Sequence, residues 1–377
     1  MAALGGGLAD TRIKALVLGS AMIDTIAIIA SELIEHLALR NAETSFLLLE
    51  AGRKTEALEI STHCGGGGLN VAVAMARLGI ETAALVKLGD DARADTICRQ
   101  LETEGVATDW VVRDDREPTG AAVHLSSHDR DAAIFTFRGA NTLLEDGDLK
   151  DAAFDVDLVY ISSLSDESAD CFPLIVQKAK ARGAMVAANP GIRQLSARAG
   201  AFLDSLDKID VLTLNRVEAD TLVPGLASRT GSMAARLDPP PDRAAPALVV
   251  RGFASEGFVL SFAGFFRAAM DLGPRYVVVT DGGNGAFVGS QGRIVHCPIA
   301  AAEVAGTAGA GDAFAATLTA FIASGRSVDE AMRAAAVNAA SVVTRIDAEG
   351  GLLDRAEVER RAHAQHSKLP LKVWTLA

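Results

Sequence analysis

Apolar residues in this chain fall into short unbroken runs separated by stretches with helical spacing. Residues 13–19 form one such run, ending in glycine, and 158–162, 184–188, 211–214 and Tyr276–Thr280 are similar. Runs of this length without polar alternation predict strands covered on both faces, as in a parallel sheet. Residues 70–78 carry Val71, Ala74, Met75 and Leu78 on one face, with Gly79 as a stop, and predict a helix. Residues 172–182 predict another. Strand and helix alternate from Leu158 onward, so the expected fold is α/β, a central, mainly parallel sheet flanked by helices. Residues 312–324 read as a late helix stopped by Gly325. Ser327 and Glu330 have capping-box spacing for one more, running to about Arg345.

Two segments break the alternation. Residues 46–49 are apolar, 51–54 can turn, and 55–62 alternate, which predicts a hairpin. A second hairpin is expected over 121–137, turning at 128–131, with Ile134, Phe135 and Phe137 as strand formers. Together they predict a small β-sheet lid, or else two edge hairpins with no moving role. The resulting division is an α/β core of 13–45, 63–117 and 139–377, a lid of 46–62 and 118–138, and a flexible N-terminus of 1–12. Residues 224–246, with Pro239, Pro240 and Pro241 in a row, read as a surface insertion. No internal repeat is visible.

Composition narrows the function classes. The 377 residues are 49% hydrophobic and 22% charged, an ordinary globular balance. The formal net charge of −12 argues against a general nucleic-acid or anionic-membrane binder. The most apolar window, 15–30, is broken by Asp24 and is too short to span a bilayer. Residues 1–10 do not read as a secretion signal. Cys64, Cys98, Cys171 and Cys297 are scattered, as expected of reduced thiols in a cytoplasmic protein. His63 beside Cys64 has no second pair at metal-ligand spacing.

The sharpest chemical signal is Gly306-Thr307-Ala308-Gly309-Ala310-Gly311-Asp312-Ala313-Phe314, running straight into a helix. Glycines let successive N–H groups turn inward, and the helix dipole adds positive potential there. The amides of Gly309, Ala310 and Gly311 are thus a candidate anion hole, with Asp312 at its mouth as a candidate general base, kept ionised by the same amides. An Asp N-cap after a plain loop is the alternative. No G-x-x-x-x-G-K-[ST] loop is present. Cys64-Gly65-Gly66-Gly67-Gly68-Leu69-Asn70 is a second glycine run before a helix. Gly66 and Gly67 would let a ligand approach the backbone, and Asn70 can donate to and accept from sugar hydroxyls. Asp24 can accept two hydroxyl hydrogen bonds or cap a following helix. Asn215 and Glu218, at a strand end, can hold water around Mg²⁺ or belong to a solvated loop. Thr280, Gly282 and Gly285 sit in a Gly-rich segment that either holds nucleotide phosphates or forms a hairpin turn.

In order along the chain, these segments resemble the ribokinase-like (PfkB) carbohydrate kinase family over residues 13–348. Ala308-Gly309-Ala310-Gly311-Asp312 resembles that family's G-A-G-D signature, and residues 65–79 resemble its G-G-x-x-x-N signature. Leu88-Gly89-Asp90-Asp91, Thr119-Gly120, Arg138-Gly139-Ala140-Asn141 and Asn189-Pro190-Gly191 lie between them in family order. The resemblance implies an ATP-dependent kinase acting on a primary hydroxyl, with Asp312 as base and the 309–311 amides as anion hole. It implies that Asp24, Gly66, Gly67 and Asn70 hold the acceptor. Asn215 and Glu218 would lie near Mg²⁺ and phosphates, and Thr280, Gly282, Gly285 and Asn338 would line the nucleotide site. A β lid that often mediates homodimers is also implied. Gly306 stands where members often carry the Asp of a monovalent-cation site, so a potassium requirement does not carry over. Gly67 stands where ribokinases often carry Lys, which weakens ribose as the substrate. Residues 222–274 are longer than usual.

The expected acceptor is therefore a sugar or sugar acid. A nucleoside kinase is the alternative in the same chemistry. A sugar-phosphate acceptor needs extra cations, for which Arg138 is the candidate. A non-catalytic sugar- or nucleotide-binding regulator is the alternative from another class.

Overall fold

Along Lys14–Leu18, Ala15 and Val17 enter one core layer while Leu16 and Leu18 enter the other. A strand with both faces covered has no polar face to present, which is why the run does not alternate. The computed structural model describes residues 12–30, 35–38, 45–48, 52, 54–127, 132–231, 235–242 and 245–377. Ten strands form the large sheet. Six are parallel, in the order Tyr276–Thr280, Val211–Asn215, Met185–Ala188, Leu158–Ile161, Lys14–Leu18 and Glu81–Leu85. Beyond Tyr276–Thr280 it continues antiparallel through Ala286–Ser290, Arg293–Cys297, Lys372–Leu376 and Leu237–Asp238.

Helices cover both faces. Gly67–Arg77, Ala310–Ala323 and Val328–Val342 pack into one layer, and Phe172–Ala181, Arg216–Thr230 and Phe262–Asp271 into the other. Ser327 and Glu330 form the expected reciprocal cap, and the helix they start ends at Val342. The mainly parallel, helix-flanked α/β architecture is as expected.

A second sheet of four strands runs Ala132–Gly139, Thr119–Ser127, Met22–Ile29 and Ala57–Gly65. The expected hairpin over 121–137 is present as an antiparallel pair, and its turn, 128–131, lies outside the described residues. The expected 46–62 hairpin is not formed. Ser45–Leu48 pairs with Glu35–Ala38, and Ala57–Gly65 pairs with Met22–Ile29. Alternation identifies a strand but not its partner. Met22–Ile29 therefore belongs to the small sheet, not to the core segment 13–45. The chain crosses from one sheet to the other at Gly19-Ser20-Ala21. There Asn141, 9% exposed, accepts from Ala21 N and donates to Ala21 O, both at 2.9 Å.

The surface insertion does not begin at Pro224. The Arg216–Thr230 helix runs through it, because Leu222, Val223 and Leu226 are buried, and packing overrides the proline penalty. Nor is 222–274 an inert addition, since Phe262, Phe265 and Phe266 are wholly buried core. Residues 1–11 of the expected flexible N-terminus lie outside the described residues. Among the described residues no helix is long and apolar enough to cross a membrane, and the four cysteines form no disulfide.

Candidate active site

The site lies beyond the carboxyl ends of the parallel strands, where α/β sheets leave a crevice. Gly309 caps the Ala310–Ala323 helix in the left-handed region, at φ 75° and ψ −7°. A Cβ on Gly309 would also overlap Ala348, so conformation and space both require glycine. The first-turn amides point out of the helix end. That of Ala310 makes only a 3.4 Å contact with the Thr307 carbonyl. Beside Gly311 there is open space.

Asp312 is the third residue of the helix, not its N-cap. Its Oδ2 accepts from Asn70 Nδ2 at 2.8 Å. Burial pushes the Asp312 carboxyl above the usual carboxylate range, and the Asn70 bond offsets this only in part. The expectation that amides dominate and favour the ionised form is thus corrected, since desolvation is the larger effect. A raised pKa makes Asp312 a better proton acceptor. Tyr160, whose buried hydroxyl has no partner among the described residues, and Glu218 lie close enough to feel its charge.

The second glycine run explains itself sterically. Gly66, at φ 98°, lies against the Ser20 carbonyl, which accepts from Gly68 N and Leu69 N. At Gly67 a Cβ would overlap Ser162 Oγ and stand 3.6 Å from Asp312 Oδ1. Any side chain there requires the Ser162 hydroxyl to move. Asn70 is 6% exposed, and its Oδ1 has no partner among the described residues. Asp24 caps no helix, because it sits inside the Met22–Ile29 strand with its carboxylate against Gly65. Arg138 does not line the Asp312 cavity. It is half-buried, its pKa lowered by burial and by the nearby charge of Arg193.

Asn215 and Glu218 form a capping box. Glu218 N donates to Asn215 Oδ1 at 2.9 Å, and Asn215 N donates to Glu218 Oε2 at 2.8 Å. This replaces the solvated-loop alternative. Burial, aided by Asp312, pushes the Glu218 carboxyl up to about 7. Thr280, Gly282 and Gly285 do belong to a hairpin turn, between Tyr276–Thr280 and Ala286–Ser290, and the same residues line a cavity. Asn338 does not line it. Fully buried, Asn338 donates to Thr317 Oγ1 at 2.9 Å and accepts from Leu353 N at 3.0 Å. The neighbouring Ala336, Ala339 and Ala340 line the cavity instead.

Two cavities meet at Thr280 and Gly311. One, about 310 Å³, is bounded by Gly67, Ser162, Asn189, Glu218, Gly309 and Asp312. The other, about 470 Å³, is largely apolar, with Pro298, Ile299, Phe314 and Val343 in its walls. A polar chamber with a base and open amides, joined to an apolar slot, can hold an alcohol, a phosphoryl group and a flat heterocycle in one line. Tyr160 was missed by sequence reasoning. A tyrosine inside an otherwise aliphatic buried run, Leu158–Ile161, was the available signal.

The family model for pfkB family carbohydrate kinases matches residues 14–237 and 266–354. It passes over 238–265, inside the long segment noted in the sequence. A deoxyribokinase of Salmonella typhi is 27% identical over 322 residues, covering 85% of this chain and 92% of that protein. A ribokinase of Bacillus subtilis is 26% identical over 323 residues, covering 82% and 91%. Among solved structures, Arabidopsis thaliana ribokinase complexed with ribose and ATP superposes with a TM-score of 0.67 at 24% identity, covering 93% and 99%. A carbohydrate kinase from Agrobacterium tumefaciens gives 0.68 at 22%, covering 96% and 100%. Two glycine loops that converge on one carboxylate, on this sheet and across this length of match, make the chain a carbohydrate kinase, a phosphotransferase, and it belongs to the pfkB family.

Proposed function

We propose that the chain transfers the γ-phosphoryl group of ATP to a primary hydroxyl of a sugar or sugar acid. The observation that carries this reading is Asp312, desolvated and held by Asn70 in the first turn of the helix that Gly309, Ala310 and Gly311 begin. The acceptor hydroxyl gives its proton to Asp312 as its oxygen bonds to the γ-phosphorus. The bond from that phosphorus to the β–γ bridging oxygen breaks, and ADP leaves. In a loose transition state the electrons stay largely on oxygen, so positioning and charge stabilisation dominate. The 309–311 amides face the oxygens on which charge accumulates. The apolar slot at Thr280, Gly282 and Gly285 suits the adenine end.

Glu218 suits Mg²⁺ through water, since its carboxylate is desolvated beside that of Asp312 and a cation relieves both. When bound, the ion would neutralise phosphate charge. Asp24, Asn70 and the Gly66–Gly67 turn hold acceptor hydroxyls. Arg138 and Arg193 bring two positive charges together, offset in part by Asp166, beyond the walls of the Asp312 cavity. ADP release measured with D-ribose, D-fructose, 2-keto-3-deoxygluconate and adenosine tests the reading. A nucleoside-only response selects the alternative acceptor class. No acceptor-dependent ADP with any of the four rejects the reading.

The small sheet supports a second element, a homodimer. Ile60, Val123, Phe135 and Phe137 are exposed and share one face by the strand register. Bare apolar faces of this kind mark association sites, and a second copy of the same face is the fitting occupant.

A further inference from the structure

Asp24 stands in a central strand of the small sheet, opposite His63 on one side and Ala122 on the other. Side chains repeat every two residues along a strand, so His63, Asp24, Ala122 and His124 share one face. This is the face opposite the exposed apolar one. The two Asp24 oxygens have different surroundings. Oδ2 lies against Gly65, where a Cβ would overlap it, and the chain runs on through Gly66 to Gly67 beside Asp312. Oδ1 is buried and has no hydrogen-bond partner among the described residues. His124 Nε2 stands 3.7 Å from it, and the two side chains are 15% and 18% exposed. His63 makes no ion pair with Asp24 among the described residues, and its Nε2 bonds with Ser61 Oγ at 2.9 Å.

We infer that His124 is the positioning residue of the acceptor-binding carboxylate. Its ring N–H fixes Asp24 Oδ1 so that Oδ2 is presented to the hydroxyls of the acceptor. The inference rests on the kinase reading above. The 3.7 Å separation is too long for a direct hydrogen bond, and about 1 Å of approach closes it. That approach completes the shell of a buried oxygen that is otherwise costly to leave bare. A carboxylate free to rotate offers two vicinal hydroxyls a moving target. Pinned at one oxygen, it offers a fixed plane, which matters for binding the acceptor and not for the nucleotide at the far end of the site.

Steady-state kinetics of His124→Leu, His124→Gln and His63→Leu test this, using whichever of the four acceptors above turns over fastest in the unaltered protein. Leucine at 124 should raise the acceptor KM about tenfold, the scale of one hydrogen bond to a charged group. The KM for ATP and kcat should stay within about twofold. Glutamine, which keeps an N–H donor at similar reach, should recover most of the loss, and His63→Leu should leave acceptor KM near its starting value. The inference is overturned if His124→Leu leaves acceptor KM unchanged. It is also overturned if both KM values rise together with a fall in Tm, or if glutamine rescues nothing. Absence of acceptor-dependent ADP in the unaltered protein is a separate result, which removes the kinase reading and this inference with it.

Discussion

The two sheets of the molecule are built from opposite resources. On the large sheet Val277, Val278 and Val279 are fully buried, and the groups offered at the strand ends are mostly backbone amides set by glycine conformation. In the reading proposed above, the small sheet offers side chains, Asp24 and His124, on strands whose other face is bare. Amides placed by a packed helix end cannot drift, and they suit a step that every kinase of this kind shares. Side chains on a thin sheet can change without disturbing a core, and they suit the choice of acceptor. The difference suggests that chemistry is assigned to the thick layer and selection to the thin one.

Four substitutions probe that division, from the largest expected effect downward. Asp312→Asn removes the base while keeping its size and its Asn70 contact. Turnover should fall about 10³-fold in an ADP-release assay, with acceptor KM little changed. A variant with full kcat would end the role given to Asp312. Gly309→Ala forces a left-handed residue into contact with Ala348. Activity should drop about 10²-fold and stability by about 1–3 kcal/mol, read by activity and thermal melts together. If the Gly309→Ala protein is soluble and fully active, the helix end is not a fixed amide array.

The third test uses pH. Glu349, 6% exposed and pushed up to about 7 by burial, and Glu218, also at about 7, are protonated more readily folded than unfolded. An unfolded glutamate titrates near 4.5, so between about 4.5 and 7 the folded state holds the extra protons. Stability should therefore be greatest at the acid end of that window and decline as pH rises through it. Denaturant melts of Glu349→Gln should show a flatter profile over the same range, and an unchanged slope would contradict the burial assigned to Glu349. The smallest catalytic effect is expected on the outer face of the small sheet. Phe135→Asp should halve the molar mass seen by light scattering and leave kcat within about twofold. A native protein that is already monomeric would remove the dimer.

Much of the thick layer was legible in the sequence. Unbroken apolar runs and glycine followed by a helix are local patterns, and local patterns dictated Gly309, Asp312 and Asn70. The thin layer was legible only in part. Met22–Ile29 pairs with strands far along the chain, and nothing within its own eight residues says so. Asn338 looked like a polar group for a ligand, yet it is fully used between Thr317 and Leu353. A buried amide and a site amide read alike in one dimension. Asn215 and Glu218 have the spacing already recognised as a cap at Ser327 and Glu330, and that reading was open for them too.

Asn141 has a mechanical consequence. Its side chain grips both backbone groups of Ala21, and also the Arg138 carbonyl at 3.0 Å. One crossing between the sheets runs through Ala21 and another through Gly139–Ala140. A single amide thus ties these two crossings to each other.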